Sequence, residues 1–230
     1  MAKNRLTPKK HNLARVLVGA SIVLAGGAAT TVPALADSHV SGPQAESVSK
    51  NTKAEAQAQA QAQSLPKTSA QRVLDIAAKQ IGISENAAGG GTKFQDWYVS
   101  SERAKETVAR DGGRIQDYAN APWCAMFVSW VGEQAGARHT VGWDAYTVSY
   151  AKWFADNGRW GQTPKPGAVV FFDWGGSNDI DAIDHVGLVK KDNGDGTITT
   201  IEGNTGNGKV EERVRPVSQV DGYGYPDYND

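Results

Sequence analysis

The chain has 230 residues, with 24 Lys plus Arg against 25 Asp plus Glu, four His, a single Cys, and seven Trp, seven Tyr and five Phe. A net charge of −1 argues against a nucleic-acid binder, which would show a basic domain or stripe. One cysteine excludes an intramolecular disulfide framework and any zinc site with two or more thiolates, and the length suits one domain of ordinary size with extensions.

The charges are distributed unevenly. Residues 1–36 carry Lys3, Arg5, Lys9, Lys10 and Arg15 and no acidic residue, followed by an uncharged run from Val16 to Ala36 that closes on Ala34-Leu35-Ala36. A basic start, an apolar middle and a small-x-small close are the three parts of a secretory signal, so residues 1–36 are expected to be a signal peptide cleaved after Ala36. The alternative is a retained anchor, but Gly19, Gly26, Gly27, Thr30 and Thr31 dilute the run, and no stable membrane insertion is expected after cleavage. Without those residues 19 basic side chains face 25 acidic ones, so the exported protein is mildly acidic. Residues 37–67 have no aromatic side chain, and Ala54 to Gln63 reads AEAQAQAQAQ. Ala and Gln have no large face to bury, so this stretch reads as a low-complexity Ala/Gln/Ser-rich linker rather than part of a core.

Ordered structure is expected from Thr68 to the C-terminus. Thr68-Ser69-Ala70-Gln71 fits a capping box, followed by Val73, Ile76, Ala77 and Ile81 at helical spacing and a stop at Gly82. Residues 83–119 carry many loop signals and one short helix, about 101–109. Further helices are predicted over about 122–134, with Asn120 as N-cap, and about 147–156, ending at Gly136 and Gly158. Beyond Pro166 the texture changes to short β-rich runs: 169–172, 185–189, 197–201 and 210–214. Helices first and strands afterwards point to an α+β domain in which N-terminal helices pack on an antiparallel sheet. Tyr223, Tyr225 and Tyr228, with Asp221 and Asp227, read as a surface tail.

Cys124 is the first candidate for chemistry. An unpaired cysteine in an exported protein is a buried small hydrophobe, an intermolecular disulfide partner or a reactive thiol. Asn120-Ala121-Pro122-Trp123-Cys124 puts it in the first turn of a helix, where free backbone N–H groups favour a thiolate. Of the two histidines beyond residue 67, His139 reads as a solvated loop residue, whereas His185 heads an apolar strand and suits either a core histidine or a rigidly held base. The next strand ends Ile201-Glu202-Gly203-Asn204-Thr205, and its two-residue period puts Glu202 and Asn204 on one face, where they suit the orientation of an imidazole. Residues 191–202 can be laid on a calcium-loop template, but Lys191 stands in the first ligand place and a hairpin turn over 192–196 fits better. Asp179, Asp181 and Asp184 read as a solvated acidic loop, and neither a metal nor a cofactor is expected. Trp130, Trp153 and Phe154 fall on buried helical faces, and Trp123 abuts the cysteine.

Pro122-Trp123-Cys124-Ala125, Pro166-Gly167-Ala168-Val169, Asp184-His185-Val186-Gly187 and Ile201-Glu202-Gly203-Asn204-Thr205 resemble, in order and spacing, the CHAP family, the cysteine, histidine-dependent amidohydrolase/peptidase domains of bacterial and phage cell-wall hydrolases. The resemblance covers roughly residues 68–230. It implies a papain-like α+β fold, with Cys124 as nucleophile, His185 as general base and acid, Glu202 as the group orienting His185, and Asn204 as a supporting polar residue. Tyr118 would be an oxyanion donor and Trp123 would shape the substrate site. The implied function is a secreted peptidoglycan hydrolase, an N-acetylmuramoyl-L-alanine amidase or a peptide endopeptidase. The alternatives are a non-catalytic cell-wall-binding module and a secreted cysteine protease acting on proteins.

Overall fold

A computed structural model describes residues 68–229. The expected signal peptide (1–36) and linker (37–67) lie outside them. Among the described residues no helix is long and apolar enough to cross a membrane.

The first half is helical. Helix α1 (Ala70–Ala78) is capped by Ser69, whose hydroxyl accepts from the Arg72 N–H, so the cap falls one residue after the expected Thr68. It ends before Ile81, which is 46% exposed, and Gly82 instead donates its N–H to the Val210 carbonyl. Helix α2 (Lys93–Ser100) arises inside the stretch read as loop. A capping box supports it: the Thr92 side chain accepts from the Gln95 N–H and the Gln95 side chain reaches back to Thr92. Ser101 then caps α3 (Glu102–Asp111), and a 3₁₀ turn (Ile115–Asn120) leads to α4 (Cys124–Gln134). Helices α5 (Arg138–Val141) and α6 (Thr147–Asp156) complete this half.

The second half is a six-stranded antiparallel sheet of β1 (Trp160–Gly161), β2 (Val169–Phe172), β3 (His185–Asp192), β4 (Thr197–Thr205), β5 (Lys209–Pro216) and β6 (Val220–Gly224), in the order β1-β6-β2-β3-β4-β5. This is the expected papain-like α+β arrangement of helices packed on an antiparallel sheet. The segment read as a surface tail supplies instead a central strand: β6 pairs with both β1 and β2, and Tyr223 is fully buried. Its glycines hid it. A Cβ at Gly222 would lie 2.2 Å from the Trp160 ring and one at Gly224 2.3 Å from Phe154, so the bare strand makes room for two aromatic side chains.

Alternation along the strands builds two apolar layers. Val169, Phe171, Val186, Leu188 and Ile201 join the helices in the main core. Val170, Phe172, Val189, Ile198 and Tyr223 form a second, smaller cluster. Helix α4 packs on β3 and β4 and is buried over most of its length, from Cys124 to Gly132. Gly203 of β4 sets how closely α4 approaches, since a Cβ there would lie 2.5 Å from Phe127 Cβ and 2.9 Å from Trp123 Cζ3. Gly203→Ala is therefore expected to lower the unfolding free energy by about 1–3 kcal/mol, the usual cost of overpacking a core. Urea titration measures it, and an unchanged midpoint would show that the helix–sheet contact is slack.

Candidate active site

Helix α4 begins without a side-chain cap: Trp123 occupies the N-cap position with φ −120° and ψ 15°. Asn120, the expected cap, ends the preceding 3₁₀ turn instead. The sequence Ala121-Pro122 separates that turn from α4, so no Asn120 oxygen serves the first turn. The N–H groups around Cys124 thus meet no capping side chain, which keeps the positive end of the helix available to a negatively charged group beside the sulfur. Cys124 is 5% exposed and lines a cavity of about 290 Å³ with Tyr118, Pro122, Met126, Tyr146 and Asp184.

His185 is the first residue of β3, facing Phe172 across the β2–β3 ladder. Its ring packs against both Phe172, at 5.9 Å, and Trp174, at 5.7 Å, which also stack on each other. Its Nε2 lies 3.0 Å from Glu202 Oε2, and the ring also interacts with the Cys124 thiol. With Nε2 turned to the carboxylate, Nδ1 is the nitrogen left for the sulfur. Glu202 is completely buried and every partner it has is polar. Oε1 accepts from Thr200 Oγ1 at 2.6 Å and Arg215 Nε at 2.9 Å, while Oε2 accepts from Arg215 Nη2 at 2.6 Å. Arg215 also donates to Thr205 Oγ1 at 3.0 Å, and its guanidinium lies over the Trp174 ring at 5.0 Å.

Register explains how these groups meet. Leu188 pairs with Ile201, which brings Gly187 beside Glu202. A Cβ at Gly187 would lie 2.7 Å from Glu202 Cγ, so glycine there leaves the space the carboxylate chain fills. Arg215 stands opposite Ile198 on β5 and reaches along the sheet to Glu202.

The electrostatics follow. Burial alone would raise the Glu202 carboxyl, but the bidentate Arg215 and the His185 ring outweigh it and bring it down from 4.5 to about 2. Burial likewise disfavours charge on His185, and its two partners, Cys124 and Glu202, reverse that and lift the imidazole from 6.5 to about 9. The arrangement holds the His185 imidazole as a cation between the Cys124 sulfur and a carboxylate at neutral pH.

The structure therefore brings Cys124, His185 and Glu202 together. It treats the other expected site residues differently. Asn204 sits in an irregularity of the β4–β5 ladder with a left-handed φ of 54°, so the alternation predicted to align it with Glu202 is broken there. Among the described residues its side chain forms no hydrogen bond. Trp123 is fully buried, stacked on Phe94 at 5.4 Å, with its indole N–H donated to Glu85 at 2.9 Å. It thus anchors the start of α4, behind Cys124, and is not among the residues lining the Cys124 cavity. Tyr118 lines the cavity, and its hydroxyl donates to Thr107 Oγ1 at 3.0 Å. His139, on α5, lines a different cavity with Arg138 and Trp143. Arg215 and Thr200 were not singled out from the sequence, and Gly187 was named only as part of the motif that carries His185.

Residues 116–204 match the family model of the CHAP domain. Over that stretch the chain is similar to a CHAP domain. That match takes in Cys124, His185, Glu202 and Asn204, while Arg215 lies beyond it. No curated protein and no solved structure gives a significant match. CHAP domains are generally hydrolases of the cell-wall amidase and peptidase class.

Arg215→Met tests the electrostatic frame. It leaves a buried carboxylate without its cation and is expected to cost about 3 kcal/mol at pH 7, as breaking a buried pair does. Because the folded carboxyl is depressed to about 2, its stabilisation is complete above 4.5 and drains away as pH falls toward 2. The gap between wild type and variant should therefore shrink over that interval in urea titrations. A gap independent of pH would contradict the charge assignment.

Proposed function

We propose that this chain is a secreted hydrolase of peptidoglycan amide bonds, an N-acetylmuramoyl-L-alanine amidase or a peptide endopeptidase, working by cysteine nucleophilic catalysis. Residues 1–36 serve as its signal, 37–67 as a tether and 68–230 as the catalytic domain. The observation that carries the reading is the chain of contacts from Cys124, which lines the cavity, through His185 to the buried Glu202. A purely wall-binding module has no use for a buried carboxylate holding an imidazole against a thiol.

In this reading His185 already holds the proton given up by Cys124, and the thiolate attacks the carbonyl carbon of the scissile amide. The negative charge that develops on the carbonyl oxygen is met by the uncapped N–H groups at the start of α4. The imidazolium then protonates the leaving nitrogen, the C–N bond breaks and a thioester remains on Cys124. Neutral His185 next takes a proton from water, the resulting hydroxide attacks the thioester, and release of the carboxylic acid restores the thiolate beside protonated His185. Glu202 keeps Nε2 occupied throughout and stabilises the imidazolium, with Arg215 holding the carboxylate in place. Asn204 borders this arrangement as a supporting polar residue, and Tyr118 contributes to the cavity wall.

Mass spectrometry of soluble fragments released from purified peptidoglycan by residues 37–230 tests the reading. Wild type is expected to produce new fragments whose termini name the bond, and Cys124→Ala none. Release by both proteins would remove the cysteine mechanism, and release by neither from walls of several cross-bridge types would favour a binding module or a protease acting on proteins. Glu202→Gln should keep measurable turnover where Cys124→Ala has none, since it removes an orienting group and spares the nucleophile.

The rate should also depend on pH in a defined direction. An imidazole raised to about 9 stays protonated through neutrality and loses its proton as pH rises through that value. The alkaline limb of kcat/KM is therefore expected near 9 in wild type and at lower pH in Glu202→Gln, which lacks the stabilising carboxylate. Identical limbs in both proteins would contradict the role given to Glu202.

A further inference from the structure

We infer that Asp184 is a specificity residue, recognising an ammonium group carried by the residue next to the scissile amide. The inference rests on reading the Cys124 cavity as the substrate cleft. Of the side chains lining that cavity, Asp184 carries the formal charge; the remainder are Cys124, Thr147, tyrosines and apolar groups. Its position is fixed on both sides. The Asp184 N–H donates to the Phe172 carbonyl at 2.9 Å, and its Oδ2 accepts from the Trp174 N–H at 3.0 Å. Its Oδ1 has no hydrogen bond or ion pair among the described residues.

The neighbouring acids are differently employed. Asp181 pairs with Lys152, and Asp179 accepts from the Asp181 N–H at 3.0 Å. The adjacent imidazole is taken by Cys124 and Glu202. Asp184 is thus a solvent-facing carboxylate with an unused oxygen at the rim of an otherwise uncharged cleft. The Tyr146 ring on the same wall, 47% exposed, offers a π face that also favours a cation. Together they select a peptide whose diamino-acid side chain or free terminus presents an ammonium beside the bond to be cut, over the same peptide with that nitrogen acylated.

Binding to the Cys124→Ala protein separates this from catalysis. The probes are a short peptide amide containing lysine and its Nε-acetyl-lysine counterpart, titrated by calorimetry against Cys124→Ala and against Cys124→Ala with Asp184→Asn. The lysine peptide is expected to bind about fivefold more tightly to Cys124→Ala, the scale of a partly exposed ion pair. That preference should narrow as salt is raised and vanish in the double variant. Equal affinities in Cys124→Ala, a preference that survives Asp184→Asn, or no binding of either peptide at millimolar concentration would overturn the inference. A charge preference seen in binding, alongside no fragment release by wild type, would sink the hydrolase reading and leave the ammonium site standing.

Discussion

The site depends on one carboxylate placed where water cannot reach it. Glu202 is completely buried, and an isolated charge there would be prohibitively costly. It is tolerated because Arg215 grips both oxygens and His185 and Thr200 supply further hydrogen bonds. That solution has a chemical result. A carboxylate held at about 2 stays negative over the whole physiological range, so it can hold His185 as a cation against Cys124. The rest of the domain supplies positions: β4 delivers the carboxylate, β3 the imidazole, β5 the guanidinium and α4 the thiol.

Glycine at two strand positions makes this geometry attainable. Gly187 gives the Glu202 chain its space between β3 and β4, and Gly203, on the other side of β4, lets α4 approach at Phe127 and Trp123. Side chains at either place would push apart the elements that carry the three central groups. Trp123 belongs to the same frame. Buried and tied to Glu85, it fixes the residue before Cys124 without entering the cleft.

Much of this was legible in the sequence, for identifiable reasons. Cys124 near a helix start, His185 at a strand head and Glu202 on the following strand are signalled by local pattern, and antiparallel pairing of consecutive strands brings the last two together. The misses came from interactions without local signature. Arg215 acts from a position 13 residues beyond Glu202 in the chain, and its relevance appears only once the β4–β5 register is known. Asn204 was aligned with Glu202 by strict alternation, which the left-handed backbone at that residue breaks. Strand β6 was hidden because glycines, which weaken a strand pattern, are there to admit the Trp160 and Phe154 rings. Asp184 passed as one of three acids in a solvated loop, since only the fold shows which of them lines the Cys124 cavity.

The charge state of His185 is the central claim, and nitrogen NMR of the imidazole in wild type and Cys124→Ala measures it directly. The account predicts an imidazolium at neutral pH that titrates near 9 in wild type, with a lower value once the sulfur is removed. A ring titrating near the ordinary 6.5 in both proteins would show that Glu202 and Cys124 do not hold it as a cation, and the proposed ion pair would have to be abandoned.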